Sequence, residues 1–255
     1  MKRLLAAVAL LATLAIAAAA TRPFWVAPDA AQAQAWLHAA ADRHDAQAEA
    51  SLARWSDRGD AQARQAYAAL LAHRNDAASG RRLERVLSGG AEAGDALAAT
   101  QLAQLLTSAG AGAGAGGSAG TGTTSDDARI ARLLAQGSAG HVPAASRLLA
   151  LRALDARSGR PDLVRAATLM GQAAEGGDAP AMFLYANMLR AGQGVKQDEA
   201  RALALYQAAA DADYAPAIQA LTIAYRYGEL GLQADASQSR LMDHEAAEAL
   251  AHAPR

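Results

Sequence analysis

The sequence predicts an all-α fold of stacked helix pairs, on three observations. The stretch from Gly177 to Ala247 states one pattern twice. Ala179-Pro180-Ala181 returns 36 residues later as Ala215-Pro216-Ala217, and Gly192-Gln193-Gly194-Val195 with Asp198 returns one residue longer as Gly228-Glu229-Leu230-Gly231-Leu232 with Asp235. Such a period marks a solenoid, whose units are stable only against their neighbours. Composition agrees: 52% of the 255 residues are hydrophobic, only 4% are aromatic, and alanine dominates the apolar set. Alanine is the best helix former and lets helix axes approach closely, whereas strands collect β-branched and aromatic residues. Apolar positions, finally, recur three and four residues apart, the spacing of one helix face.

The first twenty residues read apart from the fold. Met1-Lys2-Arg3 is a basic start, Leu4 to Ala20 is an apolar run of 17 residues interrupted only by Thr13, and Ala18-Ala19-Ala20 puts small residues at a cleavage point. This is the layout of a secretory signal. The run also reaches the short limit of a spanning helix, although nine of its residues are Ala. Two readings of residues 1–20 stand, a cleaved signal and a retained membrane anchor. Both carry the rest across the membrane, because Lys2 and Arg3 stay on the cytoplasmic side. No Cys follows the run, which closes the lipoprotein route.

Residues 21–58 are expected to form two helices broken between Asp42 and Asp45. Ala35, Trp36 and Ala39, then Leu52 and Trp55, supply their apolar faces, as an N-terminal cap or a degenerate repeat. From 59 to 250 five units follow, opening at Gly59-Asp60-Ala61, Gly94-Asp95-Ala96, Gly140-His141-Val142, Gly177-Asp178-Ala179 and Asp213-Tyr214-Ala215, at spacings of 35, 46, 37 and 36. Glycine ends one helix, Asp caps the next, and Pro180 or Pro216 suits a first turn. First helices bury Ala63, Tyr67 and Leu71; Ala98, Leu102 and Leu106; Ala181, Tyr185 and Leu189; and Ala217, Leu221 and Tyr225. Second helices bury Ala166, Leu169, Met170 and Ala173, and Ala202, Leu205, Tyr206 and Ala209. The Ala/Gly/Ser/Thr tract 109–124 explains the long second unit and is expected to be a flexible insert, having nothing to bury. Asp126-Asp127 then caps the following helix.

Several motifs carry no chemistry. Gly112 to Gly117 matches the dinucleotide fingerprint and Gly116 to Gly120 the nucleophile elbow, but both act between a strand and a helix, and no strand pattern is near. His244-Glu245-Ala246-Ala247-Glu248 lacks the second histidine of a zinc helix. A net charge of −1 argues against a nucleic-acid binder, and the absence of Cys removes disulfides and thiolate sites. No cofactor or metal site is expected.

The run Gly177-Asp178-Ala179-Pro180-Ala181, Gly192-Gln193-Gly194-Val195, Asp198, and Ala202 through Leu205-Tyr206 to Ala209-Ala210 resembles a Sel1-like repeat, a relative of the tetratricopeptide repeat. Units three to five, about 140 to 248, carry the resemblance strongly, and units one and two weakly. Ala186 stands where the family usually has Gly, Leu205 where it often has Trp, and unit three lacks the Gly-x-Gly turn. The resemblance implies a right-handed α/α superhelix of antiparallel helix pairs whose concave face binds proteins, often in bacterial envelope complexes. The expected function is therefore a non-catalytic scaffold or adaptor with a protein or peptide partner, periplasmic or anchored in the inner membrane. Arg190 and Arg226, equivalent in units four and five, are the candidate partner-binding residues; they either hold an acidic partner segment or offset the dipoles of their helices. The alternative is an envelope hydrolase or glycan-binding structural component. Against the first, this chain has neither the cysteines of hydrolytic Sel1 relatives nor a nucleophile or acid pair that converges.

Overall fold

The computed structural model describes residues 27–74, 76–113, 124–155 and 160–252. The apolar run 4–20, the match at 116–120 and all but the first two residues of the match at 112–117 lie outside them. Among the described residues the regular elements are all helices: α1 (Ala30–Asp42), α2 (Ala46–Asp57), α3 (Ala61–Arg74), α4 (Ala77–Glu92), α5 (Ala96–Ala113), α6 (Thr124–Ala139), α7 (Pro143–Leu154), α8 (Leu163–Glu175), α9 (Ala179–Ala191), α10 (Glu199–Asp211), α11 (Ala215–Tyr227) and α12 (Ala236–His252). None of them is long and apolar enough to cross a membrane. The chain divides into an N-terminal module to Asp126 and a C-terminal module from Asp127. In the first, α1 packs on α2 and α3, and α3, α4 and α5 follow in series; in the second, each helix from α7 to α12 packs on the next.

One joint is used between successive units. A left-handed residue follows the second helix, and the next residue is already the N-cap of the following first helix. Gly59, Gly94 and Gly177 take the left-handed position at φ near 90°, and His141 and Asp213 take it at 58° and 56°. The N-cap N–H always reaches back five residues: Asp60 to Trp55, Asp95 to Gly90, Val142 to Gly137, Asp178 to Ala173 and Tyr214 to Ala209. This is the 6→1 closure of a Schellman turn. Unit three therefore opens at His141-Val142-Pro143, one residue later than its glycine implies, because the imidazole-bearing residue and not Gly140 makes the turn. Where Asp is the N-cap its carboxylate accepts from the first-turn N–H, as Asp178 does from Ala181 at 2.9 Å. Val142 and Tyr214 offer no such bond, and there Pro143 and Pro216 occupy the first turn with φ preset.

Within each of the last three units the hairpin is closed by a bond from the second N-cap. Asp162 donates its N–H to Ala153, Asp198 to Leu189 and Asp235 to Tyr225. Unit three makes this closure although it lacks the Gly-x-Gly motif. In unit four Gly194, at φ 69°, lies so close to the start of α8 that a Cβ would overlap the Leu163 carbonyl.

The expected faces are buried, with half-buried exceptions at Leu106, Leu169, Leu205 and Tyr225. Ala186 is fully buried in the core of the C-terminal module, and Leu205 packs against that core. The face of α1 differs from expectation. Gln32, Ala33 and Ala40 are buried while Ala35, Trp36 and Ala39 are half-buried, since α1 packs on two helices and small residues suit that corner. The helix α5 runs through Ala113, so the glycine-rich tract begins as its last turn. Asp126 and Asp127 lie inside the first turn of α6 and are not its cap, because that helix starts at Thr124.

Charges lock neighbouring units at one recurring place. Arg64 on α3 pairs with Asp95, the N-cap of α5, and Arg147 on α7 pairs with Asp178, the N-cap of α9, at 2.8 Å; both pairs are 31 residues apart. In unit four the residue 31 before the N-cap Tyr214 is Phe183, and the two rings meet edge to face at 5.7 Å. An aromatic pair thus replaces an ion pair at the same position. Arg64 is 5% exposed, so removing its partner strands a buried charge. Asp95→Ala should cost about 3 kcal/mol in chemical denaturation, and Asp95→Asn less, because the amide oxygen still caps α5. Glu49 supplies a pH dependence. Its carboxyl lies below the ordinary value, first because Arg74 hydrogen-bonds it at 2.6 and 2.9 Å, with burial opposing. The contribution of this pair is complete above the unfolded carboxylate range and is lost as pH falls through the lower folded value. Half-exposure limits it to about 1 kcal/mol. Glu49→Gln should flatten the acid limb of the stability curve by that amount.

Candidate partner-binding groove

Repetition places equivalent residues of α9 and α11 side by side. Phe183, Asn187 and Arg190 fall on one stripe of α9, and Pro216, Gln219, Ala220 and Ile223 on one stripe of α11; with Tyr206 and Leu230 they line a groove of about 260 Å³. Gln219 and Ile223 stand 36 residues after Phe183 and Asn187, so each wall is the same helix face with different chemistry. Ile223 is 46% exposed and Tyr227, one turn further along α11, is 67% exposed. Both are large groups left in water, and Ile223 is part of the groove wall.

The floor is held by aromatic and amide contacts. Phe183 meets the ring of Tyr206 edge to face at 5.7 Å, as it meets Tyr214. The Tyr206 hydroxyl donates to Asn187 Oδ1 at 2.7 Å, which fixes the amide and leaves its N–H donors for a ligand. Burial raises the Tyr206 pKa, with the Arg190 charge opposing and Glu229 adding to the rise. The phenol is neutral and acts as a donor. Lining groups are thus apolar carbons, two amides and one guanidinium, which suits a peptide side chain with polar backbone around it.

The two arginines singled out from sequence occupy different settings. Both lie in the last turns of their helices. Arg190 lines the groove, is half-exposed and meets Glu229 Oε2 at 3.5 Å. Arg226 does not line it and is held by α12, with Nη2 at 2.8 Å from Asp243 and Nε at 3.3 Å from Ser239. Phe183, Asn187, Ile223 and Tyr227 were not singled out. Their signal is position: each falls off the buried face of a first helix yet is apolar or amide-bearing. His244 is exposed on α12.

The family described as Sel1 repeat matches residues 22–45, 143–178 and 179–214. The second and third stretches start at the first residues of α7 and α9, and the first spans α1. Unit five, whose hairpin turn is one residue longer, lies beyond the matched stretches. No curated protein matches the sequence. Among solved structures, a Sel1 repeat protein from Oxalobacter formigenes is 18% identical, with 90% of this chain and 91% of that one covered at a TM-score of 0.72. A protective antigen present in uropathogenic Escherichia coli strains, displaying an SLR fold, is 16% identical over 85% of this chain and 54% of that one, with a TM-score of 0.54. Likeness at these identities shows the fold, an all-α solenoid of helix pairs. Because the Tyr206 hydroxyl bonds Asn187, Tyr206→Phe should lower stability by about 1 kcal/mol in urea titration, with Asn187→Ala adding little more in the double variant.

Proposed function

Since this is a Sel1-repeat protein, we propose that it is a non-catalytic scaffold of the bacterial cell envelope that binds a protein partner in the groove between α9 and α11. One observation carries the reading: two equivalent helix faces enclose a largely apolar groove on whose wall Ile223 stays half-exposed to solvent. Affinity at such surfaces comes from a few large anchors in pockets, with polar groups setting orientation. Phe183 and Ile223 offer the apolar contacts, Asn187 and Gln219 the donors and acceptors, and Arg190 a charge at one end. The basic start and apolar run of residues 1–20 support export, as a cleaved signal or as an anchor that leaves the repeats in the periplasm. Mass spectrometry of the mature N-terminus separates these: cleavage after Ala20 identifies the signal, intact Met1 the anchor.

Cross-linked capture from an envelope fraction tests the scaffold reading. The wild-type chain should retain a defined protein, and Ile223→Glu should weaken that capture about tenfold or more while melting unchanged. Retention on cell-wall sacculi with no protein captured, or turnover of peptidoglycan by repurified protein, would overturn it.

A further inference from the structure

The N-terminal module holds a second groove of different chemistry. Arg82 and Arg85, three residues apart on α4, line a cleft of about 410 Å³ with Asp57, Val86 and Tyr67. A neighbouring opening of about 340 Å³ shares Asp57, Arg85 and Val86 with it and adds Arg58 and Gly89. The shared walls make them one groove. Tyr67 is 1% exposed, and its hydroxyl has no hydrogen-bond partner among the described residues. Arg82 lies over the same ring, its guanidinium carbon 5.5 Å from the centroid. Arg64 also reaches the wall, but Asp95 neutralises it. Arg58, Arg82 and Arg85 face Asp57, and Glu49, which Arg74 already pairs, is the other acid acting on Arg82; the groove thus carries an excess of positive charge in a chain whose net charge is −1.

We propose that this groove docks an acidic segment of a protein partner, with carboxylates received by Arg82 and Arg85 and by the Tyr67 hydroxyl. The inference rests on the scaffold reading and names the chemistry of a second contact. Guanidinium groups match carboxylates in a two-point geometry, and a buried phenol without a partner is a donor awaiting an acceptor. Burial raises the pKa of Tyr67, with Arg82 opposing, so it keeps its proton at neutral pH. Gly89 leaves the wall open: nothing lies within 4 Å of where its Cβ would be.

Fluorescence anisotropy with the full chain and labelled hexaglutamate, against hexaglutamine and phosphatidylglycerol vesicles, tests the proposal. Hexaglutamate should bind and hexaglutamine should not. Arg82→Gln with Arg85→Gln should weaken binding about tenfold or more, and Tyr67→Phe about threefold, with melting temperature kept or raised. Gly89→Phe should block the groove without unfolding α4. Equal binding of the two peptides, or full binding by the double arginine variant, would overturn the proposal. So would vesicle binding that depends on the same arginines while hexaglutamate fails to bind. Should hexaglutamate fail while Ile223-dependent capture persists, this inference alone falls; loss of that capture would instead remove the scaffold reading.

Discussion

The joint between units is the constraint on which each module depends. A second helix ends in one left-handed residue, and the following residue caps the next first helix. With no spare residue between the helices, their crossing is set by backbone dihedrals and by the bond that reaches back five residues. The torsions record how the chain meets this demand. Glycine joints settle near 90°, where an L-residue is strained, while His141 and Asp213 sit at 58° and 56°, inside the narrow well that L-residues reach. Both types make the same hydrogen bond, so the joint tolerates two dihedral solutions but one length.

That tolerance explains what was legible in the sequence. Recurring Ala, Leu and Tyr at helical spacing located the buried faces of α3, α9 and α10, because packing against a neighbour leaves one face no choice. Gly59, Gly94 and Gly177 located their joints, because glycine is the cheapest left-handed residue. At unit three the same rule pointed to Gly140, one residue early, since the turn there is made by His141 and a glycine beside it is incidental. The start of α6 and the end of α5 were misplaced for a related reason. A tract of Ala, Gly, Ser and Thr carries no periodicity by which a helix end can be found.

The groove was harder to read. Comparison of repeats selects what recurs, and this selected Arg190 and Arg226. The structure gives these two arginines different company: Arg226 is tied to Asp243 and Ser239 on α12, while Arg190 faces the groove. Its chemistry lies at positions where the repeats differ, Phe183 against Gln219 and Asn187 against Ile223. Phe183 also replaces the arginine that elsewhere pairs with the next N-cap, so one substitution both changes the lock between units and supplies an aromatic wall. Comparing one joint with another, rather than one helix with another, is what exposes it.

The placement of the glycine-rich tract follows from the joint. In the sequence it falls inside a unit and not at a joint, and there added length costs a flexible loop only a logarithm of its length. A single residue added between Gly177 and Asp178 would turn α9 on its axis relative to α8 and carry the later hairpins with it. Length in this lineage can therefore drift inside hairpins, whereas growth across joints must come as whole duplicated units.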